Sequence, residues 1–124
     1  HAGTLDPDSG TTWIDLGKAY YRMEEYPSST QAFRKGVEHS PDYAWSYIWL
    51  GRSLRKQGEF ESAETLYRRA GQLNPDEEQV WVALGDLYRE LDRFDEAGDS
   101  YTRALEMEPT SNSIRRRLES VSAE

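Results

Sequence analysis

Covalent chemistry needs nucleophiles, bases or metal ligands, and this chain has two histidines and no cysteine among 124 residues. The missing cysteines remove thiolate metal sites, a thiol nucleophile and any disulfide framework. His39 precedes Ser40-Pro41, a helix-ending pair, with no partner beside it. It is therefore read as exposed rather than as a base or metal ligand. No nucleophile elbow, phosphate-binding glycine loop or H-E-x-x-H zinc motif occurs. The 23 acidic residues are read as solvated helix faces rather than as a catalytic or metal-binding pair. The sequence predicts no enzyme, no metal and no cofactor.

The residues that could act in concert would do so without making or breaking a bond. Trp45 and Trp49 lie four apart, on one face of a helix. Arg52, Arg55 and Lys56 follow within a stretch, 44–57, that contains no acid. Tryptophan and arginine dominate the energetics of binding surfaces, so this cluster suits a partner with acidic and apolar or aromatic side chains.

The elements that must position this cluster are set by an internal repeat of 34 residues. Trp13, Tyr47 and Trp81 recur at that interval, as do Leu16, Leu50 and Leu84, Gly17, Gly51 and Gly85, and Tyr20, Leu54 and Tyr88. Further along each unit come Ser29, Ala63 and Ala97, then Phe33, Tyr67 and Tyr101, and finally Pro41, Pro75 and Pro109. Each unit reads as two helices, over 10–23 and 27–39, 44–57 and 60–73, and 78–91 and 94–107. Pro27 fits a first helical turn, where its missing N–H costs nothing, and each Xaa-Pro pair stops a second helix. The small residues Gly17, Gly51 and Gly85 are expected to face Ser29, Ala63 and Ala97 so that paired helices approach closely. Gly98 has no such reason to be glycine. Ile114, Leu118 and Val121 form one apolar stripe, a short helix over 112–122 that would cap the last repeat.

With Trp13–Tyr20 reading W-I-D-L-G-K-A-Y and Trp81–Tyr88 reading W-V-A-L-G-D-L-Y, the sequence resembles the tetratricopeptide repeat family. The resemblance covers 10–43, 44–77 and 78–111, within a single domain over 1–124, and Asp6-Pro7 sits where a preceding repeat would close. It implies an all-α, right-handed helical-repeat solenoid of antiparallel helix pairs, seven helices in all. It also implies a concave groove lined by the first helix of each repeat. In this chain those positions hold Thr11, Ile14, Lys18, Tyr21 and Arg22, then Trp45, Ile48, Arg52, Arg55 and Lys56, then Gln79, Val82, Asp86, Arg89 and Glu90. Trp49 joins the second set through its pairing with Trp45, and Arg116 is added by the cap. Seven cations and two anions would give that face a charge of +5 on a chain whose net charge is −8. Asp42, Asp76 and Glu77 at its rim would reduce it to +2.

Composition bounds the alternatives. Leu, Ile, Val and Phe make up only 21 residues, a level typical of disordered chains, but an aromatic content of 12% shows that a packed core is intended. The acidic balance argues against nucleic acid and anionic membrane surfaces, and no apolar run is long enough for a membrane span. A cytoplasmic setting is the expectation. The sequence therefore predicts a protein or peptide partner, with self-association within a larger repeat scaffold, as a homo-oligomer, the alternative. Relatives that clamp the C-terminal carboxylate of heat-shock chaperones use lysine, asparagine, asparagine, lysine and arginine. The matching residues here are Ile14, Lys18, Trp49, Gln79 and Ala83, which argues against a chaperone-tail clamp.

Overall fold

The structure, a computed structural model, describes residues 10–122, with side chains from 12 to 121. Asp6-Pro7 and the side chain of Thr11 lie outside the described residues. Among the described residues the only regular structure is α-helix: α1 (Gly10–Arg22), α2 (Tyr26–His39), α3 (Ala44–Lys56), α4 (Phe60–Leu73), α5 (Glu78–Glu90), α6 (Phe94–Met107) and α7 (Asn112–Ser122). Every bound falls within one residue of the sequence expectation. The chain divides into two compact units, His1–Leu73 and Asn74–Glu124.

The helix ends repeat as faithfully as the helices. Glu24, Gly58 and Asp92, spaced by 34, all take left-handed backbone, with φ of 62°, 83° and 61°. This reverses the chain so that the next N–H reaches back five residues: Glu25 to Tyr20, Glu59 to Leu54 and Arg93 to Tyr88, at 2.9, 2.9 and 2.8 Å. The last carbonyls of each first helix are thereby satisfied. Between repeats, proline at the second turn position is flanked by Tyr43 N–H to Ser40, Glu77 N–H to Asn74 and Ser111 N–H to Glu108 bonds, as a β-turn requires. An aromatic in the first turn or so of α3 and of α5 returns to the preceding proline. The Tyr47 hydroxyl donates to the Pro41 carbonyl at 2.7 Å, and Trp81 Nε1 donates to Pro75 at 3.3 Å.

In the first unit α1 packs on α2, α3 on α4, and α3 also against α2 and α1. Its core joins Ile14, Phe33, Leu50 and Leu54, with Tyr21, Val37, Trp49 and Leu66 around them. The seam between α2 and α3 also holds hydroxyls. Ser53 Oγ is hydrogen-bonded to Ser29 Oγ at 2.7 Å and to Thr30 Oγ1 at 2.6 Å, and Thr30 donates to Gln57 Oε1 at 2.5 Å. Each of these three hydroxyls, on Ser29, Thr30 and Ser53, has a partner, which is the condition for burying it cheaply.

In the second unit α6 packs against both α5 and α7. Val82, Ala104 and Ile114 form its core with Trp81 and Leu105. The Ser111 hydroxyl accepts from Ile114 N–H at the start of α7.

The glycines do more than admit a small neighbour. Gly17, Gly51 and Gly85 lie beneath the rings of Phe33, Tyr67 and Tyr101, a role that the expected small-on-small packing overlooked. Ser29, Ala63 and Ala97 are nonetheless fully buried. Gly98 faces Val121 loosely, with 3.9 Å left to the nearest atom from a notional Cβ.

Candidate binding surface

Within the first unit, α1 and α3 lie side by side and bring Lys18, Tyr21, Trp45, Trp49 and Arg52 together. Trp49 is half-buried. It stacks on Phe33 with ring centroids 5.6 Å apart and takes the edge of Tyr21 at 5.6 Å. Its outer face carries cations: Lys18 Nζ lies 5.3 Å and the Arg52 guanidinium 4.9 Å from the ring centroid. The same guanidinium lies 5.6 Å from the Trp45 ring. Such contacts contribute roughly 0.5–2 kcal/mol each. The tryptophans are therefore a platform that holds cations in place rather than two bare apolar anchors. Trp49 is also part of the core's edge.

Three of the expected contact residues offer no surface. Ile14, Ile48 and Val82 are 4%, 0% and 5% exposed, because residues at those positions point into the packing between helices. Ile14 and Ile48 are core residues of the first unit and Val82 of the second, in place of the expected contact with a partner's apolar side chains. Arg22 and Lys56 are exposed at the C-terminal turns of α1 and α3, where a cation also offsets the helix dipole. Tyr21 titrates above its ordinary range because burial disfavours the phenolate, against the opposing pull of Arg55 and Arg52.

In the second unit, Asp86 and Arg89 are engaged with α7. Arg117 Nε donates to Asp86 at 3.1 Å, and Arg89 approaches the same carboxylate at 3.7 Å. The Tyr101 hydroxyl also donates to Asp86. Arg89 further donates to Ser120. These residues act first as ties between α5, α6 and α7.

Sequence reasoning missed Tyr67. It is fully buried on α4, beside Arg55 and Arg52, and its hydroxyl proton has no acceptor. Burial pushes its pKa up to about 12, with Arg55 and then Arg52 working in the opposite direction. The signal lay in comparing repeats position by position rather than in listing shared residues. His39, expected to be exposed, is so, and its ring stacks on Trp13 at 6.4 Å.

Among the described residues no group of three or more histidine, cysteine, aspartate or glutamate side chains could hold a metal ion. No described helix is long and apolar enough to cross a membrane.

The family model described as tetratricopeptide repeat matches residues 14–78 and 48–112. Comparison with curated protein sequences finds no relative. Among solved structures, the first TPR of Spaghetti (RPAP3) bound to the HSP90 peptide SRMEEVD is similar at a TM-score of 0.87 and 21% identity, covering 95% of this chain and 94% of that one. The first TPR domain of human RPAP3 matches at a TM-score of 0.89 and 21% identity, covering 94% and 92%. The Arabidopsis OM64 TPR domain matches at 0.85 and 17%, covering 91% and 93%. At these identities the likeness concerns the fold.

Proposed function

The chain belongs to the tetratricopeptide repeat family, and from that premise we propose that its first unit binds a protein segment carrying acidic and aromatic or apolar side chains. The fold is a protein-interaction scaffold in its relatives, one of which holds a peptide. The observation that carries the finer reading is the platform on α1 and α3. Lys18 and Arg52 sit over the Trp49 ring, and α3 itself contains no acid. Arg22, Arg55 and Lys56 extend the positive surface, with Tyr21 and Trp45 beside it.

Recognition of a chaperone tail by the family's carboxylate clamp is not proposed. Ile14, Lys18, Trp49, Gln79 and Ala83 stand in place of the clamp, and Ile14 and Ala83 are buried. Nor is catalysis proposed, since binding explains the cluster without it.

The test is kinetic. A peptide with interleaved glutamate and tryptophan is captured on a surface, beside a copy in which lysine replaces glutamate. Rim charges act mainly on association and are screened by salt, whereas aromatic anchors act mainly on dissociation. Arg52→Glu/Lys56→Glu should slow association and flatten its salt dependence, and Trp45→Ala should hasten dissociation. Equal binding of the two peptides, or full-strength binding by both variants, would sink the reading.

A second reading has its own observation. Leu16 is 38% exposed, whereas Leu50 and Leu84 at the equivalent positions are 4% and 3% exposed. The outer face of α1, with Trp13 and Tyr20 beside Leu16, would suit self-association or stacking on another repeat. Concentration-dependent light scattering that Leu16→Glu abolishes would support it, and a monomer at all concentrations would refute it.

A further inference from the structure

The second and third repeats act as controls for each other. Tyr67 and Tyr101 occupy equivalent positions on α4 and α6, both fully buried, each with its ring on the glycine of the preceding helix. In the third repeat the Tyr101 hydroxyl has an acceptor, the Asp86 carboxylate, which also takes Arg89 and Arg117. In the second repeat the tyrosine is kept, and Arg55 stands where Arg89 does, but Arg52 replaces the aspartate. The Tyr67 hydroxyl is left buried with no acceptor for its proton.

The neighbouring arginines do not solve this. Arg55 hydrogen-bonds to the phenol, and Arg55 and Arg52 both act on it electrostatically, but a guanidinium has only N–H donors and cannot receive the hydroxyl proton. A buried donor without an acceptor is costly and uncommon. What is missing is a negatively charged acceptor, and the third repeat shows which one fits.

We propose that Tyr67, Arg55 and Arg52 form a carboxylate-binding subsite, occupied by an acidic group of the bound partner much as Asp86 occupies the equivalent place beside Tyr101. The subsite deepens the peptide-binding reading and rests on it. The phenol donates to the carboxylate while the guanidiniums neutralise its charge, making short charge-assisted hydrogen bonds. Arg52 serves two states: over Trp45 and Trp49 it holds the platform, and on ligand entry its half-exposed side chain turns toward the acid.

The carboxylate could come from a side chain or from a chain terminus, and the probes separate these. The full chain, labelled with ¹³C-tyrosine, is titrated at constant ionic strength with N-acetylglutamic acid α-amide, N-acetylalanine, neutral N-acetylglutamine amide and inorganic phosphate. The Tyr67 resonance, assigned with Tyr67→Phe, should shift saturably with one or both carboxylates and not with the amide. The acid that binds identifies the source. Tyr67→Phe should weaken that acid roughly tenfold, as a hydrogen bond to a charged group implies. Arg52→Asp supplies the second repeat with the acceptor of the third. It should abolish the response while the helical circular-dichroism spectrum and cooperative melting are retained, which separates loss of the subsite from loss of the fold.

No saturable shift with either carboxylate, an unchanged response in Arg52→Asp, or binding of phosphate alone would overturn the proposal. If both acids fail while the acidic–aromatic peptide still binds in a Trp45-dependent way, the subsite falls and the binding surface stands.

Discussion

The ring of Tyr67 lies on Gly51 so closely that a Cβ added to the glycine would stand 2.5 Å from a ring carbon. Real side-chain contacts do not approach so near. Tyr67 is fully buried, so its ring has nowhere to retreat without disturbing α3 or α4.

Gly51→Ala should therefore destabilise the fold by about 1–3 kcal/mol, the usual cost of overpacking, despite alanine's better helix propensity. Urea unfolding measures it directly. An unchanged midpoint would mean that the helices can part at no cost.

Gly98 makes the opposite case. Its notional Cβ would meet Val121 at 3.9 Å, an ordinary contact, in the middle of α6. Gly98→Ala should stabilise the chain by about 0.5–1 kcal/mol through the lower conformational entropy of its unfolded state. A lower melting temperature would show that α7 needs the space.

These two glycines show what the sequence could and could not reveal. Period, proline stops and the stripe Ile114, Leu118, Val121 located all seven helices, because each signal is local. Gly51 and Gly98 look alike in sequence, and only the ring above one separates them. The same limit applied to Ile48, whose groove-facing register says nothing of what covers it, and to Asp86, whose charge is engaged by Arg117 from 31 residues away. The turns at Glu24 and Asp92 were equally hidden. Of the three left-handed positions only Gly58 carries the residue that advertises one.

The tryptophans should separate in stability as well as in binding. Trp49 stacks on Phe33 and meets Tyr21 edge-on beside the core, so Trp49→Ala should cost roughly 3 kcal/mol. Trp45→Ala should cost less than half as much. Calorimetry of the two variants decides it, and equal losses would make Trp45 a core residue.

Alkaline pH should unfold the chain earlier than its arginines would suggest. An unfolded tyrosine ionises near pH ~10, whereas folded Tyr67 does so at about 12. Tyr101 and Tyr21 are raised as well, by burial first. The stability linked to Tyr67 is fully present below pH ~10 and is lost as pH rises through ~12, amounting to about 3 kcal/mol. Urea midpoints between pH 8 and 12 should fall, and should fall less steeply in Tyr67→Phe. Parallel slopes for the two proteins would exclude Tyr67 as the source.

The hydroxyl cluster between α2 and α3 has a consequence for how such a chain can change by recombination. Tandem arrays gain and lose units wherever neighbouring copies are interchangeable, and here they are not. Ser29 and Thr30 are matched to Ser53 and Gln57, but the equivalent residues of the third repeat are Leu87 and Leu91. Excising 44–77 would bring two buried hydroxyls against leucine, stranding them at about 1–3 kcal/mol each. Excising 10–43 would strand neither. Of the two shortened chains, the one that keeps the first repeat should melt lower, although it retains the same number of units. If they melted alike, the copies would be freely exchangeable. Otherwise the order of units in this chain is inherited as a fixed sentence rather than a reshuffled list of words.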